Sequence, residues 1–99
     1  MIVELVDIKI KASDQEGFQR AISHGLRHIL SNAPGFLSYE ISHCIESPER
    51  YALRVCWESV EHHTLGFRHS PDYAEWQTLV SPFFAQRPLV EHFEIIASC

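Results

Sequence analysis

Cysteine is scarce in this 99-residue chain, and the three present, Cys44, Cys56 and Cys99, form no C-x-x-C pair. An odd number without close spacing excludes a complete disulfide framework, so free thiols in a reducing compartment are expected. Basic residues are few: eight Lys and Arg stand against thirteen Asp and Glu, giving a formal charge of −5, and the eight are scattered from Lys9 to Arg87. Nothing concentrates the positive charge that a phosphate backbone requires, which argues against nucleic acid as a partner. No segment approaches the ~18 consecutive apolar residues of a membrane span. The opening MIVELVDIKIK lacks a basic stretch followed by an unbroken apolar run, so no export signal is expected and the expected location is the cytoplasm. There is no G-x-G-x-x-G loop for a dinucleotide, no internal repeat and no linker, which leaves one domain, residues 1–99.

What is present is a packed-domain composition, 45% hydrophobic against 21% charged, with clear periodicity. Ile2 to Lys11 alternates, with Val6, Ile8 and Ile10 on one side, as a half-buried strand does. Ser13-Asp14-Gln15-Glu16 has capping-box spacing. Phe18, Ala21, Ile22, Gly25, Leu26 and Ile29 then follow at helical spacing until Asn32-Ala33-Pro34-Gly35 stops the helix. Phe36 to Glu46 alternates again, placing Leu37, Tyr39, Ile41, His43 and Ile45 on one face. A turn at Ser47-Pro48-Glu49-Arg50 precedes Tyr51, Leu53, Val55 and Trp57, so a hairpin is expected. A short helical piece, Val60 to Phe67, leads to Ser70-Pro71, a helix start, and Tyr73, Trp76, Val80 and Phe83 share one face before Pro82 ends the run. Val90 to Ile96 reads as the closing strand. The order βαββααβ is an α+β, ferredoxin-like split βαβ plan, one antiparallel sheet with helices on one face. The other face, with Val3, Leu5, Phe36, Ala52, Cys56, Phe93 and Ile95 among Glu40, Ser42 and Arg54, is too apolar to stay bare. A second sheet is its simplest cover, and a homodimer through sheet faces is expected.

From Pro34 onward the chain resembles the antibiotic biosynthesis monooxygenase family of dimeric α+β barrel proteins. The resemblance is carried by PGFLSYEI (34–41), the turn at Ser47-Pro48-Glu49-Arg50, RVCWES (54–59), HTLGFR (63–68), SPDYAEW (70–76) and PLVEHFEI (88–95). It implies a homodimer with face-to-face sheets and one of several activities: oxidation of phenolic polycyclic or quinol substrates by dioxygen without metal or organic cofactor, haem degradation, or isomerisation of small phosphorylated sugars. Trp57 matches an essential tryptophan of the haem-degrading branch. The asparagine that branch carries near the start of its first strand has no counterpart, since Asn32 is the only asparagine. The position of its haem-ligating histidine falls at or beside Gln77, so haem is not expected.

Within WESVEHHTLGFR (57–68), Val60, His63, Thr64 and Phe67 share the inward helical face, whereas His62 and His69 project away from it. A histidine held neutral by burial is suited to accept a phenolic proton, so His63 is the expected catalytic base, with Trp57 beside it. The bland alternative is a helix-start histidine bonded to backbone. Tyr39, Trp57, Phe67, Tyr73, Trp76, Phe83 and Phe84 are candidates for a flat aromatic slot, though aromatics at helical spacing are more often core. His43 and His92 join the pocket only if their strand faces are the helix-covered ones. Arg68 either orients an anionic substrate oxygen or pairs with Glu61 or Asp72, the pairing being the simpler expectation. His24 and His28 have metal-compatible spacing but no third ligand, so no metal site and no cofactor are expected. The expected substrate is an aromatic small molecule and the favoured reaction a cofactor-independent monooxygenation. A proton-transfer isomerase and a non-catalytic binding protein are the alternatives.

Overall fold

The computed structural model describes residues 1–99. Four strands, β1 (Ile2–Lys9), β2 (Phe36–His43), β3 (Arg50–Trp57) and β4 (Leu89–Glu94), form one sheet in the order β2-β3-β1-β4. Every neighbouring pair is antiparallel. Two α-helices, α1 (Gln15–His28) and α2 (Pro71–Val80), cover one face together with an irregular helical segment around residues 60–69. This is the ferredoxin-like α+β architecture expected from the periodicity. The core lies between sheet and helices, where Ile8 of β1 and Ile10 just beyond it, Tyr51, Leu53 and Val55 of β3, Phe18, Ile22 and Leu26 of α1 and Val80 of α2 are buried together.

Several local features differ from the sequence expectations, each for a physical reason. The helix start at 13–16 is capped by Asp14, not Ser13: its carboxylate accepts from the Gly17 amide at 3.1 Å. In β2 the register slips between Phe36 and Ser38. This bulge takes up Leu37, which is left 45% exposed, and turns Phe36 onto the helix-covered face, where its ring meets Trp57 edge-on at 6.2 Å. Phe36 therefore does not belong to the open face, and Leu37 does not point inward. The strand stops at His43 instead of running to Glu46, so Ile45 stands 92% exposed. β4 likewise runs over Leu89–Glu94 and does not reach Ile96.

The piece after Trp57 is not a regular α-helix: residues 62–66 form a π-helical turn and residues 67–69 a 3₁₀ turn. Such turns are rare and recur at functional sites. Gly35 has φ +83°, and a Cβ there would run into the His62 ring. Only glycine meets both demands, because the left-handed conformation and the close approach each exclude a side chain. His62 thus packs on a turn as well as facing water. α2 ends at Val80, one residue before the Ser81–Phe83 3₁₀ turn that accommodates Pro82.

Candidate functional site

The pleat of β1 sends Ile2, Glu4, Val6 and Ile8 toward the helices, with Ile10 continuing the row just past the strand, and Glu4 is the one charged residue in it. It is 6% exposed. Its cross-strand neighbour on β4 is His92, so the closing strand also presents its histidine to the covered side. Trp57 at the end of β3 donates from Nε1–H to Glu4 Oε1 at 2.9 Å. The π-turn brings His63, 5% exposed, down onto this group. Its imidazole stacks against the Trp57 indole with centroids 5.3 Å apart, its Nε2 lies 3.4 Å from Glu4 Oε2, and its Nδ1 is 2.9 Å from His92 Nε2. One of the two imidazoles donates in that last bond, as the tautomers dictate.

Burial acts in the same sense on all three titratable groups, favouring their uncharged forms. For Glu4, burial raises the pKa, with the Trp57 donor and the Arg68 charge partly offsetting it. For His63, burial first, then the positive charge of Arg68 and the neighbouring His92, lower the pKa to about 4. His92 is lowered by burial and by Arg68. The close approach of His63 and Glu4 is therefore that of a neutral imidazole to a carboxyl, not a standing ion pair. The consequence for stability has a definite sign. Below pH 6.5 the unfolded chain takes up a proton at residue 63 that the folded chain refuses until about pH 4. Acidification across that window should cost up to about 3 kcal/mol. Glu4 works the other way: its contribution is full below pH 4.5 and is lost as pH rises through its raised folded value. Urea midpoints measured from pH 7 to pH 4 should fall for the native chain and fall less for His63→Gln; an equal fall in both would contradict a buried neutral His63.

Beside this cluster is a cavity of about 570 Å³, within the range of roughly 300–1,000 Å³ usual for small-molecule sites. Glu4, Val6 and Ile8 floor it from β1, His63, Phe67 and Arg68 close one side, Tyr73, Trp76 and Gln77 of α2 form the roof, and the segment from Phe84 to Val90 closes the rim. Among the residues expected at a site, the structure brings His63, Phe67, Arg68, Tyr73, Trp76 and Phe84 to the wall. His92 stands behind His63. Trp57 is not among the residues lining the cavity: it is 0% exposed and lies beneath His63 and Phe67, where it supports the wall and holds Glu4. Tyr39 sits on the edge strand against Phe36, and Phe83 packs on Phe18 in the core; neither lines the cavity.

His43 does face the covered side, but at the far end, stacked flat on Tyr51 with its Nε2 at 2.6 Å from the Pro48 carbonyl. His62 is bonded to Ser59 Oγ at 2.8 Å. The pairing expected of Arg68 with Glu61 or Asp72 does not form. His24 and His28 stack on each other along α1, and no three His, Cys, Asp or Glu side chains gather anywhere in metal-binding range. The residue that sequence reasoning passed over is Glu4. Its signal was present: it is in phase with Val6, Ile8 and Ile10, so a charge had to lie on the buried side. Gln77, set by the resemblance at or beside a haem-ligating position, lines the cavity together with Gln86 and Arg87, and nothing in the local sequence marks the last two.

Fold and cavity together define a small ferredoxin-like α+β protein with a pocket enclosed between its sheet and its helices. A family model for antibiotic biosynthesis monooxygenase matches residues 1–79, and the chain belongs to that family. It is 36% identical over 94 residues to the uncharacterized protein YczJ of Bacillus subtilis, covering 95% of this chain and 98% of that one. It is similar to the crystal structure of a candidate antibiotic biosynthesis monooxygenase from Bordetella bronchiseptica, with TM-score 0.91 and 31% identity over 97% of each chain. A variant of SnoaB, a cofactor-independent oxygenase from Streptomyces nogalater, shares the fold at TM-score 0.83 and 9% identity, over 98% of this chain and 94% of that one. Membership of that family supports a general monooxygenase or small-molecule-binding role.

Proposed function

We propose that this protein is a monooxygenase acting on a phenolic, quinol or polycyclic aromatic small molecule, without a metal or organic cofactor. The observation that carries the reading is a buried, neutral imidazole on the wall of an aromatic-lined cavity. In this reading His63 accepts the hydroxyl proton of the bound ring, and Glu4 Oε2, 3.4 Å from its Nε2, accepts a hydrogen bond from the imidazolium so formed. The apolar wall keeps water from the resulting electron-rich anion, which then reacts with dioxygen. The reaction balances without an external reductant: a phenol and dioxygen give a quinone and water, one oxygen atom entering the ring and the other leaving with two substrate hydrogens. The name of the fold neighbour SnoaB as a cofactor-independent oxygenase supports this chemistry. Oxygen consumption by the purified protein over a panel of phenols and quinols tests it. Binding without oxygen uptake would favour a non-catalytic binding protein, and solvent deuterium entering a recovered substrate would favour a proton-transfer isomerase.

The three unpaired thiols support a reducing, cytoplasmic setting. The open face of the sheet carries Leu5, Leu89 and Phe93, all exposed, around buried Val3 and Cys56. A second copy laid against it removes that apolar surface from water, so a homodimer through sheet faces belongs to the same reading. Light scattering should give twice the 11.4 kDa chain mass at micromolar concentration; the single-chain mass would rule the dimer out.

A further inference from the structure

Two arginines, Arg68 and Arg87, line the cavity, and neither forms a hydrogen bond or ion pair with any group of the protein. Of the other four arginines, Arg27 is likewise unpaired and three are engaged, Arg54 with Cys56 Sγ at 3.5 Å. Arg50 holds Asp7 with two bonds of 3.0 Å, and Arg20 meets Glu16 at 4.0 Å. Both cavity arginines are exposed to solvent, so water satisfies their donors in the free protein and leaving them unpaired costs little. The only acidic residue on the cavity wall is Glu4, whose burial favours its uncharged form. In a chain of formal charge −5, this aromatic-lined cavity thus carries two arginines against one carboxyl group. Arg68 stands close enough to the buried cluster for its charge to act on Glu4, His63 and His92 alike. The remaining polar lining is neutral amide, Gln77 and Gln86.

We infer that the ligand of this cavity is an anion, an aromatic molecule whose ring lies among Phe67, Tyr73 and Trp76 and whose carboxylate or phosphate is held by Arg68 and Arg87. The guanidinium fork matches two oxygens of either group, and such charge-assisted bonds strengthen as ligand and wall displace water. A neutral phenol gains the ring contacts and not these bonds. The inference rests on the reading of the cavity as a small-molecule site, and it narrows the substrate to oxyanion-bearing aromatics.

Calorimetry with 2-naphthol, 3-hydroxy-2-naphthoate and 1-naphthyl phosphate tests it, since the three share a ring system and differ in the anionic group. The carboxylate or the phosphate probe should bind at least about tenfold more tightly than 2-naphthol, with the stronger of the two naming the oxyanion. Added salt should shrink the advantage, and in Arg68→Gln/Arg87→Gln it should fall to near unity. Equal affinity for all three probes in the native protein would overturn the inference while leaving the cavity as an aromatic site. An advantage that survives the double substitution would also overturn it, because the anion would then be held elsewhere. Binding of none of the probes would count against the small-molecule site itself, and the inference would fall with it.

Discussion

Replacing His63 by alanine should lower turnover of an accepted substrate by roughly 10²–10⁴-fold, the usual worth of a positioned general base, while His62→Ala should leave it near the native rate. The two residues are adjacent on the π-turn and meet opposite surroundings. His63 is buried against Trp57, with its nitrogens facing Glu4 and His92. His62 is half-exposed, bonded to Ser59 and packed over Gly35, so its loss should show in the melting temperature and not in the rate. Measured together, turnover and thermal melts separate the roles: His63→Ala should lose turnover while retaining a cooperative melt. Equal, small effects on turnover from both substitutions would make the segment simple packing and leave a binding protein as the better reading.

Trp57→Ala should destabilise the protein by about 3–5 kcal/mol, the range for emptying a fully buried large aromatic site. That is a large part of the 5–15 kcal/mol that holds a typical domain together. The indole is 0% exposed and touches Phe36, His63 and Phe67, so few neighbours are free to collapse into the space. Trp57→Phe isolates a second contribution. It keeps an aromatic ring but removes the donor to Glu4 Oε1, at a cost of about 1–3 kcal/mol for a buried acceptor left without its partner. Since that bond lowers the Glu4 pKa, its removal should push the value further up. The deficit of Trp57→Phe should therefore be larger near pH 8 than near pH 5, because the ionised form of Glu4 needs the donor more than the acid form does. Urea denaturation of the three proteins at both values checks this. A Trp57→Phe variant with native stability and a raised KM would instead place the indole against the substrate.

The buried position of Trp57 shows why a site is harder to read from sequence than a fold. Strand alternation and helical spacing report which side of an element is buried. They gave the order of elements and the inward row of β1, because a single register error would move every apolar side chain of a strand to the wrong face. They also set His63 and Phe67 on the covered side of their turn. They do not separate a residue on a cavity wall from one directly behind it, since both are apolar and both are hidden from water. Trp57, Phe83 and Tyr39 were candidates for the same slot, yet they lie beneath it, in the core and on the edge strand. Glu4 was legible in principle as a charge in an apolar row, but its meaning depended on two residues more than fifty positions away.

What the sequence determined by itself was the α+β, ferredoxin-like plan, because period-two and period-3.6 patterns are local and repeated often enough to outweigh individual exceptions, and, through the motifs between Pro34 and Ile95, the resemblance to the family to which the chain belongs. Only the tertiary structure decided the remainder. The bulge at Leu37 reversed Phe36 and Leu37, because strand register answers to the neighbouring strand as well as to the hydrophobic pattern. The meeting of Glu4, Trp57, His63 and His92 required β1 to lie between β3 and β4 with the π-turn above them. The two unpaired arginines of the cavity come from segments nineteen positions apart in the chain. Proximity of that kind is set by the packing of helices onto a sheet, which no local spacing encodes.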